Sequence, residues 1–266
     1  MRMTTRRKDL KRQIVKNKFK FEQLIGFLVN HKGVNERYQV NMLQKSLAGF
    51  DNSEDKIRYI ILDCMNSSSQ PNLTNIGETM EELNEDGSLI NRIIEGKVGS
   101  YESAFKELAG EPMAGIGKKI AALILRNIHY AFKYDLLKVN KSKWAIEESS
   151  LKIAIDVVIC EAINKCVLLP ESSKPRFEAN NDFDFLNDIL KAYLPEGKNL
   201  VLFEDLWFWG YFNQTVLTKE TKEKVRIHCK LNTAKVHAEK WINPKELLHI
   251  LEEPSIKFRA ILTNNN

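Results

Sequence analysis

The chain reads as an all-α protein, and three observations carry that reading. Only 12 glycines and 7 prolines punctuate 266 residues, too few for a turn-rich β fold. Lys, Glu, Leu, Ile and Ala, all at home in helices, are abundant. Apolar residues recur at three- and four-residue spacing, the period of a helix with one buried face. A chain of this length can bury a sizeable core without disulfides or metals.

The elements follow in order. Apolar positions Ile14, Phe19, Phe21, Leu24, Ile25 and Leu28 predict a helix over Leu10–Val29. A polar break, Asn30 to Asn35, precedes a helix over Glu36–Leu47. Ala48 to Ser53 is a turn, and Glu54–Cys64 is helical. A loop over 66–72 leads to an acidic helix around Glu78–Asn84. Residues Gly99–Gly110 form a short helix, and Ile120–Phe132 a strongly apolar one. Tyr134–Ser150 is irregular and rich in lysine, and Leu151–Cys166 is apolar again. Pro170–Asp182 is a linker, Phe183–Tyr193 a helix, and Leu200–Phe212 a dense aromatic cluster. A last helix over Pro244–Glu252 starts with Asn243 as cap and proline in its first turn.

Charge is unevenly spread. Residues 1–20 hold nine basic side chains against Asp9 alone, a net +8, so the rest of the chain sums to −3 of the total +5. Such a segment is either a frayed, solvated terminus or a contact for a polyanion such as DNA. No apolar run reaches the length of a membrane span, and no secretory stretch opens the chain. The four cysteines, Cys64, Cys160, Cys166 and Cys229, show neither disulfide nor zinc spacing, so reduced thiols in a cytoplasm are expected. His228, Cys229 and His237 lack a fourth ligand at zinc spacing. Neither metal nor cofactor is expected.

The most informative segment runs from Phe105 to Leu123. A short amphipathic helix ends, Gly115-Ile116-Gly117 turns, and a helix starts at once with Lys118, Lys119, Ile120 and the small Ala121. Glycines open backbone angles closed to other residues and let a phosphate approach bare backbone. The free N–H groups of the turn and the helix start can hold that phosphate, aided by the helix dipole. Such a contact positions DNA and reads no bases. The plain alternative is a packing corner with glycine caps.

Gly115-Ile116-Gly117-Lys118-Lys119-Ile120-Ala121 resembles the hairpin of the HhH-GPD DNA glycosylase superfamily, closest to the branch of 8-oxoguanine DNA glycosylases and archaeal AGOG enzymes. Ala154-Ile155-Asp156-Val157-Val158-Ile159 is similar to the family's aspartate before an apolar helix. Leu202 to Gly210, with Leu206-Trp207 and Gly210, is similar to its late helix. Phe27 to Asn30 and the polar loop after it resemble the region that enters distorted duplex. The resemblance implies a two-lobed helical fold with a helix-hairpin-helix motif. Its core would span 21–215, with the hairpin at 105–125 and an insertion at 134–150. A basic arm or helix over 1–20 would precede it, and a helical extension over 216–266 would pack on it. Ala114 stands where the family has a proline, and the four-cysteine iron–sulfur loop of some members is missing.

The resemblance also implies roles. Lys119 would be the Schiff-base nucleophile and Asp156 its electrostatic or general-base partner. Gly115, Ile116, Gly117 and Lys118 would hold the DNA backbone. Asn30, His31, Trp207, Trp209 and Tyr211 would supply wedge or base pocket, although aromatic residues at helical spacing are more often core. Lys119 could instead be a phosphate contact, and Asp156 a helix cap. The implied activity is excision of a damaged base such as 8-oxoguanine from double-stranded DNA, with AP lyase activity, by a cytoplasmic, nucleoid-associated monomer in base excision repair. Two other readings stand beside it. One is a glycosylase acting on a hypermodified phage pyrimidine in antiviral defence. The other is a hairpin module that binds DNA without chemistry.

Overall fold

A computed structural model describes residues 4–67, 72–85, 87–110, 113, 115–140, 144–167, 169, 175–216, 225–227 and 231–263. Helices dominate, as the periodicity predicts. The chain divides into two compact units, Met1–Tyr38 with Ile155–Asn266, and Gln39–Ala154.

In the first unit, helices α1 (Thr5–Lys16) and α2 (Lys18–Asn30) replace the single helix expected over Leu10–Val29. The break is at Asn17, whose side-chain amide donates to Gln13 O at 2.9 Å and to Val167 O at 3.1 Å. The apolar period runs straight through it, so only a tertiary bond marks the site. From Thr5 on, the basic segment is helical, in α1 and the start of α2. Leu10 and Ile14 are fully buried, and Thr4 caps α1 by accepting from Arg7 N.

The unit continues with α9 (Val157–Cys166), α10 (Ala179–Ala192), α11 (Asp205–Phe212), α12 (Thr233–His237) and α13 (Pro244–Thr263). Helices α2, α9 and α13 pack on one another, and α11 packs on α9. Their shared core includes Phe21, Leu28, Ile163, Leu206, Trp209 and Phe258. Full burial of one such aliphatic or Phe side chain stabilises by about 1.5–3 kcal/mol.

Asn243 caps α13 through Lys245 N at 2.9 Å, as expected. The helix then passes its expected end at Glu252 and runs through Pro254. Proline removes a helical N–H bond and crowds the carbonyl four residues back. Here Leu247 and Leu251 before it, and Ser255, Phe258 and Leu262 after it, are all buried. That tertiary burial outweighs the local break. Strands β1 (Gln214–Val216) and β2 (Val225–Ile227) pair antiparallel with Gln214 opposite Ile227, a short ribbon the sequence reading does not anticipate.

Helix α3 (Val34–Leu47) begins in the first unit and ends in the second. The second unit then holds α4 (Ser53–Asn66), α5 (Leu73–Leu83), α6 (Leu89–Glu95), α7 (Tyr101–Ala109) and α8 (Lys118–Lys133). Twelve of the sixteen residues of α8 are buried, which makes it the unit's central helix. It packs on α4 and α7. Some buried polar groups of the unit are bonded to one another. The buried Arg126 donates to Asn127 Oδ1 at 2.9 Å, and the Asn127 amide donates to Cys64 Sγ at 3.4 Å.

The stretch expected as an irregular insertion folds back onto α8. Trp144 stacks on Phe132 with ring centres 4.9 Å apart, and its Nε1 donates to His129 Nδ1 at 3.1 Å. Lys133 and Glu148 form an ion pair at 3.0 Å. Among the described residues no helix is long and apolar enough to cross a membrane.

Candidate functional site

The hairpin lies in the second unit. Ser100 caps α7, which buries Tyr101, Ala104, Phe105 and Leu108 on one face. Gly110 ends it, and a Cβ there would sit 2.6 Å from Lys106 O. Ile116 points inward, only 3% exposed, and its N–H reaches Met113 O at 3.4 Å. This buried plug fixes the turn between its two glycines.

Those glycines differ. Gly115 has φ +79°, and a Cβ there would meet Asn75 Cβ of α5 at 2.8 Å. The fold itself requires glycine at that position. Gly117 has φ −82° and ψ 173°, open to any residue, and a Cβ there would meet nothing within 4 Å. The fold does not require glycine at 117. Gly117 is the N-cap of α8 and is exposed, and no side chain caps the helix start. Gly117 therefore offers the first-turn N–H groups no side-chain acceptor of its own, unlike the residues that most helix starts recruit. Lys118 is exposed beside them and Lys119 is half-buried. Ala114 falls outside the described residues.

Asp156 lies in the first unit as the N-cap of α9. Its Oδ1 accepts from Val158 N and Ile159 N, both at 2.9 Å, and the residue is 9% exposed. Two N–H bonds fix the carboxylate's orientation and place negative charge at a helix N-terminus, where the dipole favours it.

The wedge and pocket candidates separate by burial. Asn30 ends α2 and is exposed. His31 follows as C-cap, pinned by its Nδ1 2.8 Å from Phe27 O and by ring contact with Phe27 at 4.3 Å. Trp209 is fully buried between Phe27, Phe208 and Phe258, so its ring is core. Trp207 and Tyr211 are half-buried and stacked on each other, centres 5.1 Å apart. Lys235, which sequence reasoning did not single out, holds its amine 3.8 Å from the centre of the Tyr211 ring. Burial pulls that amine down to about 8.

Sequence reasoning also missed Asp205, which opens α11. Burial pushes its carboxyl up to about 8; a bond from Asn35 and nearby Lys32 oppose the rise, while Glu204 and Glu36 add to it. Among the described residues, Asp205 Oδ2 and Trp209 Nε1 are buried with no hydrogen-bond partner. They stand four residues apart on α11, on one face of the helix. No sequence signal marks the pair, because it is made by burial and not by spacing.

The described cysteines offer no nucleophile. Burial raises the Cys64 and Cys166 thiols to about 12 and raises Cys160 further. His228 and Cys229 lie outside the described residues. No protein-family model matches the chain, and no curated protein or solved structure matches it.

Proposed function

We propose that the chain is a DNA glycosylase of the helix-hairpin-helix kind. The observation that carries this reading is the start of α8, where an uncapped helix follows a glycine the fold does not need. A phosphate can approach Gly117 without meeting a side chain and accept from the first-turn N–H groups. Lys119, one residue into the helix, then lies beside the held strand.

Cleaving an N-glycosidic bond develops positive charge on the sugar, which a fixed carboxylate stabilises. Asp156 supplies that carboxylate. The amine of Lys119 attacks C1′ as the base leaves, the C1′–O4′ bond then opens to give a Schiff base, and β-elimination of the 3′ phosphate can follow. The target must first leave the stack at a cost of a few kcal/mol. The half-buried, mutually stacked rings of Trp207 and Tyr211 are the aromatic faces open to a flipped base such as 8-oxoguanine.

The second reading is a hairpin that binds DNA without chemistry. One observation favours it: Oδ1 of Asp156 is already engaged as a helix cap. Borohydride trapping on duplexes with one modified base each separates the two. The glycosylase reading expects a covalent adduct that Lys119→Gln abolishes. Binding without adducts or abasic sites on any duplex would leave the module.

A further inference from the structure

The basic segment of the chain resolves into two faces of α1. The inner face carries Leu10 and Ile14, both fully buried. Arg6 lies on that side and forms a two-point ion pair with the buried Asp182, at 2.6 and 2.7 Å. Arg7 sits 5.2 Å over the Phe185 ring. Lys8, Lys11, Arg12, Val15 and Lys16 are exposed, at the spacing of one helix face. Just past the break at Asn17, Lys18 and Phe19 are exposed as well. Of these cations, Arg12 pairs with Asp9 at 3.3 Å and Lys18 with Glu22 at 3.5 Å.

This pattern works against the helix that carries it. Lys8, Arg12 and Lys16 are like charges at four-residue spacing, which repel. The first turn of α1 contains no acid to complement the dipole. Packing through Leu10, Ile14 and Arg6 holds the helix regardless. The outward cations are thus fixed in a row about 12 Å long from Lys8 to Lys16 at 1.5 Å rise per residue.

We propose that the outward face of α1 is a second contact surface for the phosphate backbone of duplex DNA, separate from the hairpin. This rests on reading the chain as a DNA-binding protein. A row of that length meets two or three phosphates of a strand, and its cations release the counterions those phosphates hold. A membrane is the poorer fit. A helix that lies on lipid needs a broad apolar face turned outward, and here that face is buried in the unit. Val15, at 57% exposure, is the one large apolar residue that α1 turns to solvent; Phe19, at 69%, lies past the break in α2.

The test is fluorescence anisotropy of an unmodified duplex across a salt series, with the full chain and a Lys8→Gln/Lys11→Gln/Lys16→Gln variant. The proposal expects the slope of log affinity against log salt to fall by about 2–3 in the variant, at about 0.9 for each phosphate no longer neutralised. An unchanged slope would overturn it. If the parent then still yields the borohydride adduct, only this surface fails and the glycosylase reading stands. A parent that binds no duplex would overturn both. Loss of binding to phosphatidylglycerol vesicles in the variant, with the DNA slope intact, would assign the face to membranes and overturn the proposal.

Discussion

Helices α8 and α9 begin in opposite ways. The N-terminus of α9 is closed from within: Asp156 Oδ1 takes the N–H groups of Val158 and Ile159, and the residue is buried. The N-terminus of α8 begins at an exposed glycine with no side-chain cap. Glycine in place of a side-chain cap at a helix start typically forgoes a few tenths of a kcal/mol. A capping residue would have been the stable choice at 117, where the backbone angles and the open space allow any side chain. The difference teaches that the α9 start serves the fold and holds one carboxylate still, whereas the α8 start is the one that the proposed phosphate contact would use.

The largest expected effect comes from separating charge from capping at α9. Asparagine caps as well as aspartate does but carries no charge. Asp156→Asn should therefore keep the parent's melting temperature while excision slows about 10²- to 10³-fold, the scale of a lost acid–base or electrostatic group. Asp156→Ala should also lose about 1 kcal/mol of stability. If Asp156→Asn excised at the parent rate, the carboxylate would be a cap alone. Single-turnover rates and thermal melts on both variants decide this.

At the hairpin the two glycines should respond in opposite senses. Gly115→Ala forces a Cβ into Asn75 at positive φ, and should cost about 2 kcal/mol in a denaturant melt. Gly117→Ala should cost less, about 0.5–1 kcal/mol, because alanine is a poorer helix cap than glycine. Its duplex affinity should nonetheless fall about tenfold, since a methyl group then stands where the phosphate approaches. A Gly117→Ala chain that bound DNA like the parent would remove the reason for reading that helix start as a site.

Asp205 gives the smallest effect and a contrast within one residue type. Asp156 is bonded at a helix start; Asp205, also at a helix start, is buried and pushed up to about 8 from an ordinary value near 4. Well below pH 4 the group is neutral in both the folded and unfolded chains and has no effect on the balance between them. As pH rises from about 4 to about 8 only the unfolded chain ionises, so the parent loses stability across that window. Asp205→Asn should melt about 5 °C above the parent at pH 8, with the gap closing towards pH 4. An equal gap at both pH values would mean the carboxyl is already ionised in the fold.

Much of the fold is legible in the sequence, and the misses share a cause. Helices with long apolar periods are visible there, as are the Asn243 cap and the glycine turn. The break at Asn17 is not, because the period continues through it and a bond to Val167 makes it. The run of α13 through Pro254 is not, because local chemistry argues for a stop and only burial of Phe258 and Leu262 overrides it. Among the candidate residues, Lys119 and Asp156 stand out by spacing to a turn and to a helix. Asp205 and the unpartnered indole of Trp209 do not, because their character comes from what surrounds them. Spacing likewise does not tell the core ring of Trp209 from the half-buried rings of Trp207 and Tyr211.

The most direct measurement is to locate the covalent bond itself. The full chain is incubated with duplex carrying 8-oxoguanine, or another modified base, and reduced with borohydride. The adduct is then digested, and the peptide carrying the sugar remnant is identified by mass. A helix-hairpin-helix glycosylase with Lys119 as its nucleophile carries the remnant on Lys119. A remnant on any other amine, such as Lys118 or Lys235, would contradict that assignment.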